Sequence, residues 1–432
     1  MKTMKKVYIP IFSQSIRSKK FSLSEGNPGV GGTEFTTIRL ALSLAIERPD
    51  WKIVLASYEG VGIEEDLFPN ISQKIFENVS VFFEQLCNSS SYDLGIVIAT
   101  VSVLKQVDRK SLKMVENRLI AWSRHPFDIE AARLAAEVSF QGIVCVGVYQ
   151  YYSNKAISNR LYYIQNIFIL PMSNPIFFNF QDRQCKINKK ELNIVYLGAL
   201  IPGKGFLEIA KAWPKLKVCF PGLTLHVIGS SATYGERPEL TEIPSSADYA
   251  QEILKFIPKE DIHSAQVIFY GNLGVEKFDV IQQCDLAILN PTGTTEAFPA
   301  SPLECMACGV PVIASDDYGM SDAMRFFPEL VIAGHSDILE KVEWLVAEPL
   351  RYLEMQQRSL AVAQWFASQT DQIITRWIRL VESYESTTLN ELSLSPTLPF
   401  YGSKCKLVFR REIKPRLSFI KRCSLKFLRM SH

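Results

Sequence analysis

Short apolar runs recur along the chain, separated by longer stretches with a helical period. In the N-terminal part, "KKVYIPI", "KIVLAS", "VSVFFE", "LGIVIAT", "RLIAW" and "GIVCVGV" are rich in Val and Ile. Runs of this kind suit strands buried on both faces of a parallel sheet. Between them, "TEFTTIRLALSLAIE" and "DIEAARLAAEV" read as helices. The alternation predicts a doubly wound α/β domain over residues 1–171. A polar, aperiodic stretch with two prolines, "PMSNPIFFNFQDRQCKINKKELN", then interrupts the pattern and reads as a linker over 172–192. The pattern restarts with "NIVYLGAL", "LTLHVIGS", "AQVIFYGN", "DLAILN", "VPVIAS" and "ELVIAG". A second Rossmann-like domain is expected over 193–349. Helices follow over 350–388, where Ile373, Ile374, Trp377, Ile378 and Val381 share one face, and a tail occupies 389–432. The expected architecture is two doubly wound α/β domains facing a central cleft. Open sheets bind ligands beyond the carboxyl ends of their strands, so the strand-to-helix loops become the places to look for chemistry.

Bulk numbers narrow the picture. The 432 residues exceed one ordinary core. A hydrophobic fraction of 47% with 21% charged residues marks a globular chain. The net charge of +2 gives no electrostatic reason to expect nucleic acid as a partner. That total conceals a basic tail: residues 401–432 hold ten Lys/Arg against Glu412, a local +9, which leaves −7 on the first 400 residues. No apolar run reaches the roughly 18 residues of a membrane span, and the N-terminus lacks a signal-peptide core. Nine scattered cysteines, an odd number, fit a reducing compartment. The expectation is a cytoplasmic protein. If residues 416–430 are helical, Leu417, Ile420, Phe427 and Leu428 form a stripe edged by Arg and Lys. Such a segment can lie on an anionic membrane surface, each basic residue contributing about 1 kcal/mol there. The alternative is a solvated basic tail.

Four loops carry candidate chemistry. "NPGVGGTEF" places Gly29, Gly31 and Gly32 before a helix, where the backbone can approach an anion closely. It matches neither the dinucleotide fingerprint nor a P-loop, and a plain turn explains it equally well. "AWSRHPF" puts His125 just past a strand, able to donate to a sugar hydroxyl or phosphate or to carry a proton. The alternative there is an imidazole bonded to a nearby carbonyl. "YLGALIPGKGF" brackets Lys204 with Gly203 and Gly205, a point charge within reach of a phosphate or simply a solvated turn lysine. "EAFPASPLECMACGVPVIAS" spaces Glu296 and Glu304 eight positions apart. "SPLE" reads as a capping box, with Ser301 at N-cap, Pro302 at N1 and Glu304 at N3, and Gly309 suits C′. Glu296 has no comparable structural explanation. Cys305 and Cys308 lack the further ligands of a metal site and read as packing residues.

Together these residues resemble the E-x7-E signature of retaining GT-B glycosyltransferases, the family 4-like "glycosyl transferases group 1", in order and spacing over roughly residues 5–365. "GGTEF", "GKG", "SNPI" and "LHVIGSSATYG" fall where that family has its glycine loop, phosphate-binding lysine, last N-domain strand and second C-domain strand. The resemblance implies two Rossmann-like domains, with a last helix crossing back to the first. It implies transfer of a hexosyl group, with retention, from a nucleotide-diphosphate sugar to a saccharide or lipid-linked acceptor in polysaccharide or glycolipid synthesis. It places Glu304 on the ribose hydroxyls and Glu296 on the donor sugar. The amides around Phe298, Ala300 and Ser301 fall near sugar or distal phosphate, and Lys204, Gly31 and Gly32 at the diphosphate. His125 falls at the reaction centre. No cofactor and no obligatory metal are implied, and the sequence has no Asp-x-Asp. Two positions depart from the family: Ala199 stands where it has arginine, and "FPAS" replaces its Phe-Gly, so that Pro299 removes a backbone donor. These departures support the alternative of a catalytically silent module that binds a nucleotide sugar or a partner protein.

Overall fold

Two parallel sheets carry the computed structural model, which describes residues 4–16, 19–23, 26–89, 95–155, 157–158, 160–168, 191–234 and 242–383. Across the first sheet the strands run Ile71–Ile75, Trp51–Ser57, Lys5–Ile11, Ile96–Thr100, Leu119–Ser123, Gly142–Cys145 and Leu161–Tyr163. Across the second they run Val267–Gly271, Thr224–Ile228, Asn193–Leu197, Leu286–Leu289 and Val312–Ala314. In each sheet the first strand in sequence lies inside, and the chain reverses its direction of winding there. The switch points therefore lie between Lys5–Ile11 and Ile96–Thr100, and between Asn193–Leu197 and Leu286–Leu289.

Burial explains the apolar runs. In the first sheet Val7, Ile9, Ile53 and Trp122 belong to one buried cluster, while their alternates Tyr8, Val54, Val97 and Ala121 belong to a second. Strands covered on both sides need no polar face. The helix Gly32–Glu47 covers the first side with a run of buried residues from Phe35 to Ala45.

Some expectations change. "VSVFFE" forms the start of a helix, Val79–Asn88, not a strand. The Asn78 side chain accepts from the Val81 amide at 3.0 Å, and Val79, Phe82, Phe83 and Leu86 give the buried face a helical period. "ELVIAG" supplies only a bridge from Val331 to Ala314, beside the short 3-10 turn Pro328–Leu330. The strands Ile71–Ile75 and Leu161–Tyr163 lack the apolar run that marks the others; the first is a half-exposed edge with a polar centre. "SNPI", most of the linker and the basic tail lie outside the described residues. No helix among those described is long and apolar enough to cross a membrane.

The last two helices among the described residues join the domains. Pro349–Ala367 packs along the second domain, and Thr370–Glu382 returns to the first. There Trp377 lies edge-on to Trp122, ring centroids 4.9 Å apart, and Glu382 pairs with Arg48. The returning helix thus braces the strand that leads to His125. Replacing the fully buried Trp377 removes that brace. Trp377→Ala is expected to destabilise the first domain by about 3 kcal/mol or more, read as a lower denaturant midpoint, with Trp122 fluorescence as the probe.

Candidate functional site

A cleft opens between the carboxyl edges of the two sheets. Its wall includes Gly32, Arg124, His125 and Asn166 from the first domain and Ala199, Lys204, Lys277, Asn290, Glu296, Phe298, Ala300, Ser301 and Glu304 from the second. Of the residues that the sequence assigns to donor binding or catalysis, all but Gly31 line this wall. A Cβ on Gly31 would collide with the Glu34 carboxylate, so that side chain stands over it.

The second domain builds its part from the two loops flanking its switch point. The strand Asn193–Leu197 ends in Gly198–Lys204, where Pro202–Lys204 forms a 3-10 turn and Gly205 takes φ 71° before the helix Phe206–Cys219. A side chain at Gly205 would press on Pro291, so glycine serves both the dihedral and the close approach. The strand Leu286–Leu289 ends in Asn290–Ala300. Within it Asn290 (φ 32°), Gly293 (φ 66°) and Thr295 (φ 67°) all have positive φ. For β-branched Thr295 that conformation is strained. Hydrogen bonds hold it in place. The hydroxyls of Thr294 and Thr295 donate to the Gly203 carbonyl at 2.8 and 3.2 Å, tying one loop to the other. The Tyr196 hydroxyl lies 3.1 Å from the carbonyls of both Ala199 and Lys204.

These loops bring Lys204 Nζ to 2.6 Å from Glu296 Oε1, and Asn290 Nδ2 donates to the same oxygen at 3.2 Å. The side chains are 14% and 12% exposed. Both bonds fall on Oε1, which leaves Oε2 for a ligand. Glu304 repeats the arrangement: Lys277 Nζ lies 2.6 Å from its Oε1, the side chains 7% and 13% exposed. The expected capping box does not form. The helix Ser301–Ala307 starts one residue early, with Ala300 at its N-cap and no side-chain cap, so Ser301 and Glu304 are out of register for the box and the Glu304 carboxylate turns to Lys277. Gly309 does end the helix with φ 68°, and its amide donates to Met306 at 2.9 Å. Cys305 and Cys308 are buried. The Phe298 ring packs edge-on against Phe366, ring centroids 5.6 Å apart.

In the first domain, Gln150 sets the loop after Leu119–Ser123. Its Nε2 lies 2.7 Å from Ser123 Oγ and 2.8 Å from the His125 carbonyl. The His125 side chain is exposed to the cleft yet enclosed by its walls. That enclosure lowers its pKa from 6.5 to about 4, helped by the positive charges of Arg124 and Lys204. The imidazole is therefore neutral at neutral pH. Beside it, Arg124 is buried under Trp122, its guanidinium carbon 4.7 Å from the indole centroid. It donates to Asn166 Oδ1 and, at 3.2 Å, to the Gly32 carbonyl. Burial lowers its pKa to about 9, which leaves it charged at neutral pH.

The domains also touch behind the cleft. The Val148 amide donates to Asp322 Oδ2 at 2.8 Å, and a Cβ on Gly147 would strike the Ala297 carbonyl. The Gly319 amide donates to the Glu296 carbonyl at 3.0 Å.

Sequence reasoning missed Arg124, Asn166, Lys277 and Asn290. Only Arg124 carried a usable signal, as the immediate neighbour of His125.

Comparison with known proteins identifies the fold. No curated protein matches the chain by sequence. Among solved structures, sucrose-phosphate synthase from Thermosynechococcus elongatus superposes with TM-score 0.63 at 14% identity, over 88% of this chain and 98% of its own. A glycosyltransferase from Rickettsia africae gives 0.62 at 10%, over 89% and 100%. Anabaena HepE, solved in complex with UDP, gives 0.58 at 14%, over 87% and 100%. The fold is GT-B. Residues 177–359, which carry both lysine–glutamate pairs, match the family model described as Glycosyl transferases group 1.

Proposed function

We propose that the protein transfers a hexosyl group, with retention, from a nucleotide-diphosphate sugar to a saccharide or lipid-linked acceptor. The observation that carries this reading is the Lys204–Glu296 pair at the carboxyl edge of the second sheet, opposite His125 and Gly32. Breaking a sugar–diphosphate bond places negative charge on the leaving phosphate. Lys204 and the start of the helix Phe206–Cys219 stand where they can offset it, a role that needs no metal. Glu304 Oε2 offers an acceptor for ribose hydroxyls, and Glu296 Oε2 one for a donor-sugar hydroxyl. Neutral His125 can donate or accept at the reaction centre without adding charge. The matched family model supports the reaction class. The HepE complex with UDP and glucose supports this donor chemistry by analogy of fold.

A thermal-shift screen of UDP-, GDP- and ADP-sugars tests donor binding, followed by donor hydrolysis and transfer with excess EDTA present. One donor is expected to stabilise the protein and turn over in EDTA. Glu296→Gln should lower kcat by about 10²-fold or more with a smaller change in KM. Binding with no turnover, given suitable acceptors, would instead establish a silent module.

The low pKa of His125 has a sign that can be checked. Between about pH 6.5 and 4 the unfolded chain takes up a proton that the folded chain refuses, so His125 makes the protein less stable as pH falls through that window. His125→Gln is expected to flatten that part of the stability curve in urea titrations at graded pH. The pH–rate profile of the parent should lack an inflection near 6.5.

For the basic tail we propose attachment to an anionic membrane surface, on its charge alone. Deleting residues 403–432 should abolish sedimentation with phosphatidylserine liposomes; unchanged binding would overturn this.

A further inference from the structure

The cleft's charges are unevenly paired. Of the three cations on its described wall, Lys204 and Lys277 each hold a glutamate at 2.6 Å. Arg124 has no carboxylate within ion-pair distance among the described residues, and Glu34 acts on it only from further away. Its hydrogen bonds go to neutral oxygens, those of Asn166 and Gly32, and its Nε has no partner although the side chain is nine-tenths buried. A buried charge without a counter-charge costs several kcal/mol, and such a cost is commonly retained where a ligand supplies the missing charge. The carbonyl that Arg124 grips belongs to the first residue of the helix Gly32–Glu47, whose free amides favour an anion at the same place. Arg124, Lys204 and Lys277 against Glu296 and Glu304 leave this wall at +1.

We infer that Arg124 is the diphosphate-binding cation of the first domain, meeting from across the cleft the phosphates that Lys204 meets from the second. The assignment rests on the nucleotide-sugar reading of the same site and names a residue that reading did not use. Lys204 must share its charge with Glu296, so Arg124 supplies the uncompensated part of the attraction.

Calorimetric titration of the full-length protein tests the assignment. The probes are UDP, GDP and ADP, the matching nucleosides, and inorganic pyrophosphate alone, against the parent, Arg124→Gln and Arg124→Lys. The parent should prefer diphosphate over nucleoside. Arg124→Gln should shrink that preference by about ten-fold or more with nucleoside affinity unchanged, and Arg124→Lys should keep most of it. A purely structural fork would behave differently. Lysine cannot bridge Asn166 and Gly32 as arginine does, so both variants would then lose nucleoside affinity and thermal midpoint alike, which would overturn the assignment. An unchanged preference in Arg124→Gln would also overturn it. A parent that binds pyrophosphate through Arg124 but no nucleotide would uphold this inference while defeating the donor reading. A parent that binds neither defeats both.

Discussion

The ion pair between Lys204 and Glu296 is the interaction on which the site depends. Both side chains are largely withdrawn from water, where the desolvation of two ions rivals their mutual attraction. The pair persists because the backbone around it is over-determined. Thr294 and Thr295 tie one loop to the carbonyl of Gly203, Asn290 reaches the shared oxygen, and Tyr196 spans the turn that presents the lysine. The positive φ of Thr295 is maintained by these bonds. What they secure is the placement of a carboxylate with one oxygen occupied and the other open, beside a lysine held near the switch point of a parallel sheet. Glu304 and Lys277 reproduce the device one helix turn into Ser301–Ala307. The eight-residue spacing of the two glutamates thus corresponds to a loop and the first turn of a helix, each ending in the same chemistry.

The sheets decide why this happens where it does. Strands buried on both faces offer a ligand only their ends, and winding outward in both directions from the first strand leaves a crevice at the carboxyl edge. The residues that form the core, such as Val195, Ile288 and Ile313, therefore have an indirect functional role. Their burial fixes the height at which Lys204 and Glu296 emerge. In the first domain the same logic runs through Trp122, which packs on Trp377 on one side and supports the guanidinium of Arg124 on the other.

Much of this was legible in the sequence because it is encoded locally. Doubly buried strands announce themselves as Val/Ile runs, and glycines at Gly205 and Gly309 mark left-handed residues at helix ends. The failures have physical causes. Val79–Asn88 alternates apolar and polar over its first residues as a strand would, and only the later Phe83 and Leu86 reveal the helical period. The capping box fails because the helix begins one residue earlier than its local signal, with Ala300 at the N-cap, and Glu304 turns to a tertiary partner, Lys277. Lys277 and Asn290 have no sequence signal because their meaning lies in contacts that the fold creates. Phe298 stands in the loop after Leu286–Leu289, but its ring answers to Phe366 on a helix much further along the chain.

The contacts behind the cleft make the domain arrangement part of the site. Asp322 receives the Val148 amide of the first domain, and Gly319, three residues earlier, donates to the carbonyl of Glu296. Gly147 and Gly319 both lie so close to Ala297 that neither has room for a side chain. A rotation that drove the first domain onto the second at this point would press Gly147 against the Ala297 carbonyl, one residue from the Glu296 carboxylate. Gly147 from the first domain and Gly319 from the second thus pack on the backbone that carries Glu296. A close-packed contact of this kind transmits a shift in place of absorbing it. The seating of the first domain and the geometry of the candidate site on the second meet at Ala297, while the strain at Thr295 and the burial of Lys204 are met by contacts within the second domain.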